Sequence, residues 1–145
     1  MMKKTVLFFL SLLPLAAAAQ ADDWAVGRDK FKAICMSCHQ FSGGPQMIAP
    51  PVFAVKNHYL RVYPEKEEFV RSIKAWVPAP DIEKSLMPGA VRRFNLMPPL
   101  QLPEEDLEAI ATFLYEANLQ EPSWYEEHYR QEHGEGNPIP PGEGG

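Results

Sequence analysis

The sequence predicts an all-α fold, and three apolar stripes predict it. Trp24, Gly27, Phe31 and Ile34 recur at helical spacing, as do Phe69, Ile73 and Trp76 or Val77, and again Leu107, Ile110, Phe113 and Leu114. No strand is expected ahead of the first stripe, and no parallel sheet around it. Pro-rich stretches separate the stripes, so the helices are joined by loops.

The chain opens with a segment that reads as an export signal. Lys3 and Lys4 form a positive start, Val6 to Leu15 is apolar, and Ala19-Gln20-Ala21 fits the A-x-A cleavage pattern. The apolar run falls short of the roughly 20 residues that span a bilayer. No later segment is apolar enough to span. Residues 1–21 are therefore expected to be a cleaved signal peptide, leaving an exported protein that starts at Asp22 and is not membrane-spanning. The simplest location is the periplasm of a Gram-negative bacterium. About 124 residues remain, enough for one domain over 22–120 and a polar C-terminal tail over 121–145. The leader holds two lysines and no acid, so cleavage moves the formal charge from −5 to −7. An acidic surface argues against nucleic acid and permits docking to a basic partner.

Asp22 or Asp23 is the expected N-cap of the first helix, which runs towards Cys35. Gly27 lies inside it. A helical glycine costs about 1 kcal/mol relative to alanine, so a second helix is expected to cross closely at this point.

Next comes Cys35-Met36-Ser37-Cys38-His39, which holds both cysteines of the chain. Cys-x-x-Cys-His reads as a covalent attachment site for haem c. Each thiol can add to one vinyl group, and His39 can ligate the iron. Three other readings of a cysteine pair are a thioredoxin-like redox couple, half of a zinc site, and a disulfide. The histidine directly after the second cysteine and the export signal favour haem.

Gln40 to Phe53 carries Gly43-Gly44-Pro45 and Ala49-Pro50-Pro51 and is expected to be loop. A ligating histidine needs an acceptor for its free N–H, and the carbonyl of Pro50 or Pro51 is the candidate. Met47 and Phe53 are candidates to line a haem, or else ordinary core. Val52 to Leu60 is expected to hold a short helix or turn, with His58 read as a surface histidine rather than a ligand. Pro64 opens an amphipathic helix over Glu65 to Val77, which Val77-Pro78-Ala79-Pro80 ends. Asp81 to Leu86 has room for one further helical turn.

Two methionines, each followed by proline and each expected to lie in a loop, come next: Met87-Pro88 and Met97-Pro98. A thioether is soft and neutral, and as a sixth ligand it raises the potential of a haem iron. Both methionines also suit a role as core fillers. The last helix of the domain starts at Pro103, with Glu104, Glu105 and Asp106 in its first turn. Beyond Asn118 the pattern fades. Trp124, Tyr125 and Tyr129 are candidates to pack back on the domain, His128 and His133 read as solvated, and Gly134 to Gly145 reads as disordered.

Up to about Asn118 the exported chain resembles a class I, monohaem cytochrome c. The residues that carry the resemblance are Gly27 and Phe31, Cys35-Met36-Ser37-Cys38-His39, Pro50-Pro51, Met97-Pro98-Pro99, and Leu107, Ile110, Phe113 and Leu114. The resemblance implies a small cytochrome c fold with its N- and C-terminal helices crossing and the haem in the core. It also implies Met97 as the distal ligand, with Met87 the alternative. Met97 lies 16 residues before Phe113, similar to compact bacterial members, whereas Met87 lies 26 before it. The long Lys56 to Pro80 segment, the second Met-Pro and the tail depart from the family pattern.

The expected function is electron transfer, not catalysis. One covalent haem c, held by Cys35, Cys38, His39 and Met97, would cycle between Fe(II) and Fe(III) as the protein meets redox partners: a dehydrogenase, an oxidase or a reductase. No residue stands out as a catalytic acid, base or nucleophile. The main rival is a haem-based sensor or peroxidatic protein with an open sixth site. A weaker one is a docking module that uses Trp124 to Gly145.

Overall fold

A computed structural model describes residues 16–43, 46–120, 122–123 and 125–134 of the chain. All regular structure among them is helical: α1 (Ala16–Ile34), α2 (Val52–Val62), α3 (Lys66–Trp76), a 3₁₀ turn (Ile82–Lys84), α4 (Pro88–Phe94), α5 (Glu104–Glu116) and α6 (Tyr125–His133). The all-α expectation holds. None of these helices is long and apolar enough to cross a membrane. Most of the expected signal segment (residues 1–15), Trp124, the His133 side chain and residues 135–145 lie outside what is described.

The three expected stripes make one core. Helix α5 packs chiefly on α1 and α3. Phe31 of α1, Phe69 and Ile73 of α3, and Ile110, Phe113 and Leu114 of α5 are all buried in a single cluster. Gly27 is where α1 and α5 touch. A Cβ placed there would overlap the Ala109 carbonyl oxygen and sit 2.8 Å from Phe113 Cβ. The close crossing predicted at this glycine is present. Trp24 and Phe31 straddle it, each with its ring against that of Phe113, at 5.4 and 5.7 Å between centroids. Ion pairs border this core: Lys30 with Asp106, Lys66 with Glu116, and Lys74 with both Glu104 and Glu108.

Four expectations about elements need correction. Helix α1 begins at Ala16, so neither Asp22 nor Asp23 caps it. The run Ala16 to Ala19 consists of the best helix former and extends the helix backwards. Helix α2 is a full helix through Val62, started by Pro51 in an extended conformation, with φ −62° and ψ 149°. Its Val52 and Tyr59 face the main core, while Phe53 and Ala54 face the other way. Met87-Pro88 is not a loop: Pro88 is the first residue of α4, a position where its missing N–H costs nothing. Asn95, at φ 68°, ends that helix.

The fourth correction concerns the tail. Tyr125–His133 is a helix, closed by Gly134 at φ 77°, whose N–H donates to the Arg130 carbonyl. Tyr125 and Tyr129 are 3% exposed and pack on Phe53 and Ala54, with Met87 and Leu119 beside them. The expectation that these tyrosines return to the domain is met. Arg61 of α2 lies with its guanidinium 3.8 Å from the Tyr129 ring centre and donates to the Tyr129 hydroxyl. Arg61 therefore holds α6 from the α2 side.

Candidate functional site

The site begins where α1 ends. Cys35 and Met36 N–H both donate to the Phe31 carbonyl, at 2.8 and 3.1 Å. Cys38 and His39 N–H then both donate to the Cys35 carbonyl, at 3.2 and 2.8 Å. The motif is thus one tight turn that prolongs the helix, and Cys35, Cys38 and His39 belong to a single rigid unit. The turn is anchored by Phe31, 2% exposed, whose ring packs at a tilt against that of Phe41 after the turn, 5.6 Å between centroids.

Cys35 and Cys38 are not joined to each other by a disulfide. Cys35 is half-buried against the main core, while Cys38 is exposed. Burial pushes the Cys35 thiol up to about 11, with a smaller contribution from the neighbouring Cys38. A thiol held protonated in apolar surroundings is unlike the low-pKa cysteine of a thioredoxin-type couple. The described residues contain no strand, as a thioredoxin-like fold would need, and no cluster of three His, Cys, Asp or Glu suited to a metal ion.

His39 is fixed by the loop that follows. Its Nδ1 lies 2.8 Å from the Pro50 carbonyl oxygen. A carbonyl only accepts, so Nδ1 carries the proton and Nε2 keeps its lone pair. This is the acceptor expected from the sequence. Burial lowers the His39 pKa, and the bond to Pro50 opposes it more weakly. Burial thus favours the neutral ring, the form a metal ligand requires. Gln40 adds a second closure, its carbonyl accepting from Val52 N–H at 2.9 Å. The loop over residues 41–51 is therefore pinched at its neck, and the same pinch aims the His39 ring.

The other candidates are spread around the core. Met97 is half-buried on the strap between α4 and α5. That strap is tied down by Leu100 N–H to the Val77 carbonyl at 3.0 Å and by Gln101 Nε2 to the Pro78 carbonyl at 3.1 Å. Met87 packs with Phe53, Ala54, Tyr125 and Tyr129 in the second cluster. Met47 is half-buried, and Phe53 is core at 1% exposed. His58 is not a bare surface residue. Its Nδ1–H donates to the Ala54 carbonyl at 2.8 Å, and its ring rests 5.6 Å from that of Tyr129. His128 is exposed.

Sequence reasoning missed the second cluster around Met87. Its one signal was the four-residue interval between Tyr125 and Tyr129, which is helical spacing. No protein-family model, curated protein or solved structure was found to match the chain.

Proposed function

We propose that this protein is an exported electron carrier of the class I cytochrome c type, with one haem joined to Cys35 and Cys38. The observation that carries the reading is the His39–Pro50 hydrogen bond. The residue that follows the cysteine pair is favoured in its neutral form by burial, is oriented, and has Nε2 as its available nitrogen, which is what a proximal ligand needs.

When bound, the haem supplies one-electron chemistry at its iron. The chain supplies attachment, orientation and exclusion of water. Cys35 and Cys38 would provide the two sulfurs of the thioether links from one rigid turn. His39 Nε2 would provide the proximal bond, with Pro50 setting ring orientation and basicity. Met97 would provide a distal sulfur that favours the reduced state. The second cluster occupies the Met87 side chain, whereas Met97 sits on a strap tied at Leu100 and Gln101, which supports Met97. The packed α1–α5 crossing and the aromatic shell of Phe31, Phe41 and Phe113 give a stiff apolar frame, as small reorganisation on electron transfer demands.

The test is the absorption spectrum of the oxidised, haem-loaded protein beside Met97→Ala and Met87→Ala. A weak far-red band reports sulfur on ferric haem. The account predicts that the band is present, that Met97→Ala removes it, and that Met87→Ala keeps it. A high-spin wild-type spectrum without the band would overturn the carrier and point to a protein with an open sixth site.

A further inference from the structure

A cleft of about 510 Å³ lies between α2, α4 and α6. It is built from the features that depart from the family pattern: the Met87-Pro88 segment and the C-terminal helix, set against Pro50, Pro51 and the outer face of α2. Its size falls in the range of small-molecule sites. Its charge is opposite to that of the molecule. The chain carries 19 acids against 14 lysines and arginines, yet the described lining contains Arg92 and Arg93 and no aspartate or glutamate.

These arginines are neighbours near the end of α4. Both are exposed, and neither makes an ion pair with any described residue. Arg93 lies with its guanidinium 5.0 Å from the ring centre of Phe94, which also lines the cleft. That contact limits its swing and leaves its N–H groups for another partner. The remaining walls are apolar or aromatic apart from the imidazoles of His58 and His128, with Met47 and Met87 as the flexible fillers and Tyr125 as a buried ring.

We propose that this cleft binds a small organic anion, with a carboxylate head on Arg92 and Arg93 and a flat apolar body between Met47, Met87 and Tyr125. Charge selects the head, because a cation would meet two guanidiniums with no carboxylate to offset them. Planar N–H donors suit a planar oxyanion. The methionines select the body, since unbranched thioethers adapt to irregular apolar shapes and favour aromatic contacts. The head group sits at the exposed rim, so its contribution is screened by salt. The proposal does not depend on the cofactor reading.

The test is calorimetric titration of the exported protein, as isolated, with 2-naphthoate, and with 2-naphthamide as the uncharged analogue. The expected result is saturable one-to-one binding of naphthoate that weakens as salt is raised, with naphthamide binding weaker by about tenfold or more. The double variant R92Q/R93Q should lose about tenfold in naphthoate affinity while melting at the wild-type temperature, since both side chains are exposed. Equal binding of naphthoate and naphthamide, unaltered affinity in R92Q/R93Q, or no saturable binding would each overturn the proposal. It would also be overturned if R92Q/R93Q left naphthoate binding intact but shifted the reduction potential of the haem-loaded protein. The arginines would then serve the haem propionates instead of a free ligand.

Discussion

At the scale of single residues, Gly27, Lys56 and Tyr59 show how little freedom the frame allows. Gly27 has no room for a methyl group, because the obstruction includes the Ala109 backbone carbonyl and not only a side chain that can turn aside. Gly27→Ala gains helix propensity but forces α1 away from α5. The expected net loss is about 1–3 kcal/mol in denaturant unfolding, the usual cost of overpacking. An unchanged midpoint would show that the crossing is looser than described. Lys56 donates from Nζ to the carbonyls of Tyr115 and Ala117, at 2.7 and 2.6 Å. These are end groups of α5, whose last turn carries no base of its own. Lys56 of α2 thus serves as the missing C-terminal cation. Lys56→Met keeps the stem but leaves the two carbonyls without this donor, so a loss of about 1–3 kcal/mol is expected. Lys56→Arg should recover part of it.

Tyr59 gives a prediction in pH. It is 6% exposed, and burial raises the pKa of its hydroxyl, with Tyr63 adding to the shift. The folded state keeps the phenol neutral where the unfolded chain ionises it, near pH 10. The unfolded state then holds fewer protons, so stability falls as pH rises above about 10. Tyr59→Phe removes this contribution. Its stability should decline less steeply than that of the wild type between pH 9 and 11, as followed by urea unfolding at each pH. Parallel declines would show that Tyr59 is not the group concerned.

At the scale of elements, α6 is the piece that depends most on others. It has nine residues and mostly polar side chains, and a helix that short is marginal alone in water. Its order rests on Tyr125 and Tyr129 packing against α2, with Arg61 holding Tyr129. The double variant Tyr125→Ala/Tyr129→Ala should therefore release α6 without unfolding the main core. Amide exchange over residues 125–133 is expected to become fast while α1, α3 and α5 stay protected. Simultaneous loss of protection in α1 and α5 would show that the two clusters form one cooperative unit.

The same elements explain what could be read from the sequence. Helices α1, α3 and α5 were legible because their stripes serve one core and their ends carry clear signals. The Pro50 acceptor was legible because a histidine expected to ligate needs one and the loop offers two prolines without N–H groups of their own. The contact at Gly27 was legible because a helical glycine demands a reason. Helix α4 was not, because a seven-residue segment that opens on a proline looks like a turn. Nor was α6, since its apolar face is only two tyrosines and its value lies in Phe53 and Ala54, on the far side of a helix expected to serve one core. The arginine-lined cleft arises only from packing α2, α4 and α6 together, so no single segment announces it.

At the scale of the whole molecule, the helical frame, the fixed histidine and the cysteine pair belong to one design. Helix α5 holds α1, α1 ends in the cysteine turn, and the turn and the loop after it hold His39. Each step is local, and none needs the second cluster, which adds its own cleft on the opposite face of α2. The central claim is that Cys35 and Cys38 carry a haem. It is tested most directly by the intact mass of the protein exported by a host with c-type haem maturation, measured after denaturation. The account predicts the mass of the polypeptide from Asp22 plus one haem, and the loss of that addition in Cys35→Ser/Cys38→Ser. A bare polypeptide from the same host, with its two thiols free or joined as a disulfide, would contradict it.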